Sequence, residues 1–373
     1  MSDARAVTPS DTSGDGPVDA VTLLHELVAI ESLSGRERAA SEYLAGRMAE
    51  LGFADARVDG ADNVVGSRGD PDAHREVVLL GHIDTVPGKI PVRIESGPEG
   101  DVLWGRGSVD AKGPLATFVM AVAGVTPAPD VRLTVIGAVE EEAATSKGAR
   151  HVVDRHRPEA CIIGEPSGWD ALTLGYKGRV LVDYHARQPG GHSAGPIGAV
   201  SEQAVAFWNA ANTWAAEFNV GKQRLFDQLM PSLRSLVTSS DGLHDEVAAS
   251  LGFRLPPDFD VAAFGDFLRS AAGDARLDVY GAEPAWTSPR TSPLARAFTA
   301  AFRAAELPPR FKHKTGTSDM NVLGPVWQCP IGAYGPGDST LDHTPDERLV
   351  LAEYLRAIEV LQTALVSGGW ASR

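Results

Sequence analysis

Three short apolar runs in this chain each end in an acid or an imidazole, and that pairing narrows the folds open to it. Val77-Val78-Leu79-Leu80 leads to His82 and Asp84, Leu133-Thr134-Val135-Ile136 to Glu141 and Glu142, and Cys161-Ile162-Ile163 to Glu165. Short β-branched and leucine runs read as buried strands. Open α/β sheets place their chemistry in the crevice beyond the carboxyl ends of such strands. Three ends carrying His, Glu and Glu therefore point to one shared site, with Asp110 and His343 supplied from glycine-rich loops.

The chemistry that site can support follows from what the chain lacks. Cys161 and Cys329 are its only cysteines, which leaves neither a disulfide framework nor a thiolate zinc site. Any metal must be held by imidazole and carboxylate, a donor set that suits zinc, cobalt or manganese. A carboxylate can bridge two such ions about 3.5–4 Å apart, and Asp110 in Gly105-Arg106-Gly107-Ser108-Val109-Asp110 is the natural bridge. His82 with Glu165 would complete one site, and Glu142 with His343 the other. Asp84, two residues beyond His82, is placed to accept the free imidazole N–H and fix its tautomer. Glu141 and Glu142 are adjacent and in extended chain point in different directions. One can bind metal while the other takes a proton from a water whose pKa a metal lowers toward about 7 and passes it to a leaving amine. Glu141 is assigned that base role. Taken singly these signals are ordinary: a histidine after a strand is usually structural, and three glutamates usually open a solvated helix. Their combination carries the reading.

Around these residues the pattern is α/β, interruption, α/β. Helical spacing predicts helices over 18–30, from Ser34 as N-cap through Leu51, and over 113–125. From about Gly178 the order changes to a strand at 180–184, a helix at 200–218, a strand at 249–255, a helix at 261–272 and a strand at 275–280, a βαββαβ-like set. A helix over 293–306 and an apolar region at 324–334 resume the first pattern, and 347–366 reads as a terminal amphipathic helix. The expected division is a flexible tail at 1–17, a catalytic domain of 18–177 and 284–373, and an inserted domain of 178–283. The fold class is α/β, a doubly wound mixed sheet carrying a ferredoxin-like α+β insert. A net charge of −15 argues against nucleic-acid or anionic-membrane partners. No apolar stretch reaches the roughly twenty residues of a membrane span. A cytoplasmic enzyme is expected.

The strings Gly81-His82-Ile83-Asp84-Thr85-Val86-Pro87, Gly105-Arg106-Gly107 through Asp110-Ala111-Lys112-Gly113, Glu140-Glu141-Glu142 and Gly164-Glu165-Pro166 resemble the dinuclear zinc deacylases and exopeptidases. That family includes acetylornithine deacetylase, succinyl-diaminopimelate desuccinylase and glutamate carboxypeptidase. The resemblance covers nearly the whole chain after the tail. It implies two divalent ions, zinc or in its place cobalt, on His82, Asp110, Glu142, Glu165 and His343, with Glu141 as base and a cis peptide between Asp110 and Ala111. It implies that the insert is a lid and dimerisation domain in a homodimer. In Gly190-Gly191-His192-Ser193-Ala194-Gly195, His192 would then reach the partner's active site and stabilise the developing oxyanion. Arg254 would grip a substrate carboxylate, aided by Gly316 and Thr317 of Gly316-Thr317-Ser318-Asp319, while Lys177 sits at the hinge as a further substrate contact.

Within the family, the stretches 103–115, 164–169 and 174–179 look most like the branch that releases lysine or ornithine from the C-terminal γ-glutamyl group of an acidic amino-group carrier protein, in lysine and arginine biosynthesis. Arg310, Lys312, His313 and Lys314, with Arg290, would offer that acidic substrate a local basic patch. One departure stands out: Leu341-Asp342 occupies a place where many relatives carry a small residue before the histidine. The competing readings are a deacylase of acetylornithine or succinyl-diaminopimelate, a dipeptidase, and a metal-binding scaffold without catalysis.

Overall fold

The computed structural model describes residues 19–192 and 198–373. The tail expected at 1–17 and the segment Ser193-Ala194-Gly195 lie outside the described residues.

The run leading to His82 forms the strand Arg75–His82, paired in parallel with Val131–Ala138 on one side and Ala160–Gly164 on the other. Its alternate side chains feed two cores. Val77 and Leu79 join one cluster, Val78 and Leu80 the other, and all four are fully buried. A strand covered on both faces has no solvent side to mark with polar residues, hence its continuous hydrophobicity. Ile331–Tyr334 continues the parallel set beside Ala160–Gly164. Four carboxyl ends therefore open on one edge, and the loops that leave them carry the acids and imidazoles.

Antiparallel strands complete the mixed nine-stranded sheet: Ala54–Val58 and Val64–Gly69 at one flank, Leu172–Tyr176 and Trp286–Thr287 at the other, with Phe311–Lys314 parallel to Leu172–Tyr176. Helices Ala20–Ala29, Lys112–Ala123, Pro293–Ala304 and Leu351–Ser367 contribute to the larger core, and Lys147–Val152 and Met320–Trp327 to the other.

Residues 178–283 build a second sheet of four antiparallel strands in the order Met230–Ser240, His244–Leu255, Gly178–Pro189, Arg276–Glu283. Helices Val200–Phe218 and Val261–Ala272 cover it, and this βαββαβ unit has its own core. There Tyr184 stacks on Phe207 at 4.8 Å between centroids. Each such buried aromatic contributes roughly 1.5–3 kcal/mol. The two strands that cross into and out of this unit meet at one side chain. The Asn321 amide nitrogen donates to the carbonyls of Lys177 at 3.1 Å and Pro284 at 2.7 Å.

Two expectations change, and one strand had not been expected at all. The second helix runs Arg38–Glu50, and Ser34 does not cap it. The Ser34 hydroxyl instead donates to Asp84 at 2.7 Å, drawn away by a buried carboxylate. The terminal helix begins at Leu351, because Arg348–Val350 pairs as a strand with Gly100–Trp104. The long strand Met230–Ser240 carries little apolar alternation and is exposed along almost all its length, so no periodicity announced it.

Candidate metal centre

Ligand atoms of His82, Glu141 and Glu165 lie within 4.8 Å of one another, as do those of His82, Asp110 and Glu142. Asp110 stands between the imidazoles: Oδ1 is 3.1 Å from His82 Nε2, and Oδ2 is 3.1 Å from His343 Nε2. His343 Nε2 is also 2.9 Å from Glu142 Oε1. All five residues expected to hold metal, and Glu141, therefore meet at the carboxyl edge of the sheet.

The tautomer of His82 can be read from its neighbours. Nδ1 lies 3.0 Å from the backbone carbonyl of Asp84, which can only accept, so Nδ1 carries the hydrogen. A neutral His82 then offers the Nε2 lone pair to the cluster. Part of the expected role of Asp84 thus falls to its backbone oxygen, since its carboxylate Oδ1 is 3.4 Å from Nδ1. The carboxylate organises the glutamates: Oδ1 accepts the Glu141 amide at 3.1 Å and Oδ2 the Glu142 amide at 3.0 Å. Glu140 turns the chain there with φ 56°.

The Asp110 loop is held from a distance. Fully buried Glu347 accepts from the backbone amides of Gly107, Val109 and Asp110 at 2.9, 3.0 and 3.1 Å through one oxygen, and from Arg106 at 2.6 Å through the other. Next in the chain, the Asp110–Ala111 peptide is cis, as expected. Lys112 is buried and donates to the carbonyls of Leu27 at 3.2 Å and Ile30 at 2.6 Å. Sequence reasoning missed Glu347 and Lys112 as parts of the site. Glu347 is 240 positions from Gly107, and nothing local separates it from a helix-opening glutamate.

The electrostatics fit a cation pair. Burial raises the carboxyls of Glu141 and Glu142, and neighbouring carboxylates reinforce the rise. Burial and then the charge of Asp110 push Glu165 up to about 8. Burial likewise lifts Asp319 to about 7, and burial with Asp110 lifts Asp342 to about 9. On His82, burial is outweighed by hydrogen bonds to Asp110 and Asp84, which hold the imidazole well above its usual range. Hydrogen bonds to Asp110 and Glu142 raise His343 to about 10. Buried carboxylates crowded this way, with two imidazoles as the cations in contact, lack compensating charge. Divalent ions on an oxygen and nitrogen donor set would supply it.

The remaining residues sit as follows. Arg254 pairs through Nη1 with the Thr317 hydroxyl, bringing the insert against the loop that also carries Gly316. Lys177 is fully buried, its ammonium on the carbonyls of Leu225 at 2.9 Å, Phe226 at 3.2 Å and Gln228. Those three acceptors anchor the start of the insert. His192 is exposed at the edge of the described segment. In the basic run, Arg310 pairs with Asp170, Lys312 and Lys314 donate to the carbonyls of Ser167 and Pro166, and Arg290 lies over Phe311.

A model of peptidase family M20/M25/M40 matches residues 78–367. The chain belongs to that family. It is a metal-dependent hydrolase, and the family's use of divalent metals agrees with the cluster around Asp110. A LysW-lysine hydrolase of Deinococcus radiodurans is 47% identical over 350 residues, covering 92% of this chain and 95% of that protein. A LysW-lysine/LysW-ornithine hydrolase of Saccharolobus islandicus is 28% identical, covering 77% of this chain and 81% of that one. Among solved structures, the M20 family metallo-carboxypeptidase Sso-CP2 of Sulfolobus solfataricus superposes with TM-score 0.75 at 15% identity, over 93% of this chain and 98% of that one. The dipeptidase Dug1p of Saccharomyces cerevisiae gives 0.74 at 14%, over 94% and 95%. These two show a shared fold. No helix among the described residues is long and apolar enough to cross a membrane.

Proposed function

We propose that this enzyme cleaves the amide joining lysine or ornithine to the γ-carboxyl of a C-terminal glutamate on an acidic carrier protein in the cytoplasm, serving lysine or arginine biosynthesis. The observation that carries the reading is near full-length identity of 47% to a LysW-lysine hydrolase in a chain whose acids and imidazoles converge at one edge. In this reading His82, Asp110, Glu142, Glu165 and His343 hold two divalent ions, zinc first and cobalt as a substitute. When bound, the ions supply Lewis acidity and a readily deprotonated water.

The chain's own groups do the rest. The Glu141 carboxylate receives a proton from the attacking water and returns it to the amide nitrogen as the C–N bond breaks. Burial raises its carboxyl above the usual carboxylate range, the direction a group that both takes and returns a proton requires. Asp84 fixes the backbone of Glu141 and the ring of His82. Arg254 and Thr317 face the α-carboxylate of the departing amino acid, for which a planar guanidinium is well shaped. Lys312 and Lys314 form no ion pair among the described residues, so their charge stays available to an acidic substrate.

Residues 178–283 serve as lid and as the dimer contact, through which His192 enters the partner's site to steady the oxyanion. The exposed edge strand Met230–Ser240 supports this, with Leu233 38%, Leu236 40% and Val237 62% accessible. An unpaired edge of that length is a liability that a second copy would cover.

The test is intact-mass analysis of a carrier ending in γ-glutamyl-lysine or γ-glutamyl-ornithine, incubated with the zinc- or cobalt-loaded enzyme beside acetylornithine, succinyl-diaminopimelate and a dipeptide. Loss of one lysine or ornithine from the carrier, with the small substrates intact, is expected. Cleavage of a small substrate alone would overturn the carrier reading.

A further inference from the structure

A diamino acid leaving group carries a side-chain ammonium, and the site described above assigns it no acid. Two acids near the cluster compete for that role. Asp319 is 1% exposed and both its carboxylate oxygens are enclosed without partners, so no ligand reaches them unless the core repacks. Asp342 is only half-buried, so that its carboxylate is less enclosed than that of Asp319. Its Oδ1 is withdrawn from solvent and has no hydrogen-bond partner.

The local backbone sets Asp342 beside the cluster. Thr344 closes a turn onto the Leu341 carbonyl through its amide at 3.2 Å and its hydroxyl at 2.8 Å, and His343 adopts φ 60° within it. That turn delivers the His343 imidazole to Asp110 and Glu142, with Asp342 immediately before it. The charges of Asp110 and Glu165 reach Asp342, as does that of Lys314, whose ammonium donates to the Pro166 carbonyl and not to Asp342. A second orphan lies in the same surroundings. Tyr176 is 1% exposed, its hydroxyl has no partner, and it feels the charges of Glu165, Asp110 and Asp342. Withdrawn polar atoms without partners are costly to keep, and a bound donor would relieve that cost.

We propose that Asp342 receives the side-chain ammonium of the released diamino acid and thereby selects lysine or ornithine over uncharged residues of the same length; this rests on the carrier reading above. An ammonium offers three donors and no acceptor, which suits a carboxylate with an orphaned oxygen. Arg254 with Thr317 takes the carboxylate, so the two poles of the amino acid are read by separate parts of the chain. The Leu341-Asp342 departure before the histidine then has a purpose.

The experiment compares zinc-loaded wild type and D342N on two carriers, one ending in γ-glutamyl-lysine and one in γ-glutamyl-norleucine, which lacks only the terminal amine. Wild type is expected to prefer the lysine carrier in kcat/KM by roughly 10- to 100-fold, the discrimination a charged hydrogen bond gives. In D342N that ratio should fall toward one, mainly through KM. Zinc content checks that His343 is undisturbed, and D342S carries the same comparison should D342N lose metal. A variant that keeps the full preference overturns the Asp342 assignment and leaves the carrier reading standing. A wild-type enzyme that cleaves neither carrier overturns the carrier reading, and the ammonium site with it.

Discussion

Glu347 Oε1 lies 3.1 Å from the backbone nitrogen of Asp110, so the carboxylate that stands between His82 and His343 is positioned by an acid from the far end of the chain. The same oxygen takes two more amides of that loop, which leaves Asp110 little freedom to drift. Glu347→Gln keeps the shape but weakens the acceptor and places an NH2 group where a charge met Arg106. Zinc affinity, followed by competition with a chromophoric chelator, should drop roughly 10- to 100-fold, as for other groups that orient metal ligands. Unchanged affinity would mean that the loop holds its geometry without Glu347.

Glu141→Gln should leave two metals bound per chain and abolish turnover of the carrier substrate. Metal analysis and intact-mass kinetics on one preparation separate the outcomes. Loss of metal would move Glu141 into the ligand set, and retained turnover would remove it as the base.

If His192 acts across the dimer, two inactive variants should rescue each other. In a mixed dimer of Glu141→Gln and His192→Ala, one site keeps both its own Glu141 and the partner's His192. Equal mixing after reversible dissociation should restore about a quarter of wild-type activity, the statistical share of such sites. No recovery in dimers shown to be mixed would place the action of His192 within its own chain.

Away from the metal centre, Glu76 gives a pH signature. Burial raises its carboxyl, but His156, Thr134 and Arg132 outweigh that and leave the folded pKa below 4.5. A depressed acid contributes stability that is fully present above the unfolded pKa and is lost as pH falls through the folded one. Urea melts of wild type should weaken steadily below about pH 4.5, whereas Glu76→Gln should start less stable by about 1–3 kcal/mol and show a flatter acid limb. Parallel limbs would assign the acid sensitivity elsewhere.

What the sequence made legible were residues whose partners share their local pattern. His82, Glu141, Glu142 and Glu165 each follow an apolar run whose length and branching identify a buried strand, so the shared edge could be inferred. The helices 200–218 and 261–272 came from apolar spacing. Glu347, Lys112 and Asn321 left no such trace, because each is defined by a backbone group far away in the chain. Lys177, expected at the hinge as a substrate contact, shows the same limit from the other side: nothing beside it in the chain announces the carbonyls of Leu225, Phe226 and Gln228 that close around its ammonium. Asp342 was visible as a departure from pattern, and its surroundings were not.

The two strands that tie residues 178–283 to the rest of the chain share a clasp, the amide of Asn321. Gly178 tightens it, since a Cβ there would meet the Glu283 carbonyl at 2.4 Å. Arg254 sits in register with Met230, the first residue of the edge strand Met230–Ser240, so any displacement of that sheet as one body would shift the contact proposed for the substrate carboxylate and the surface where a second copy would dock by the same movement.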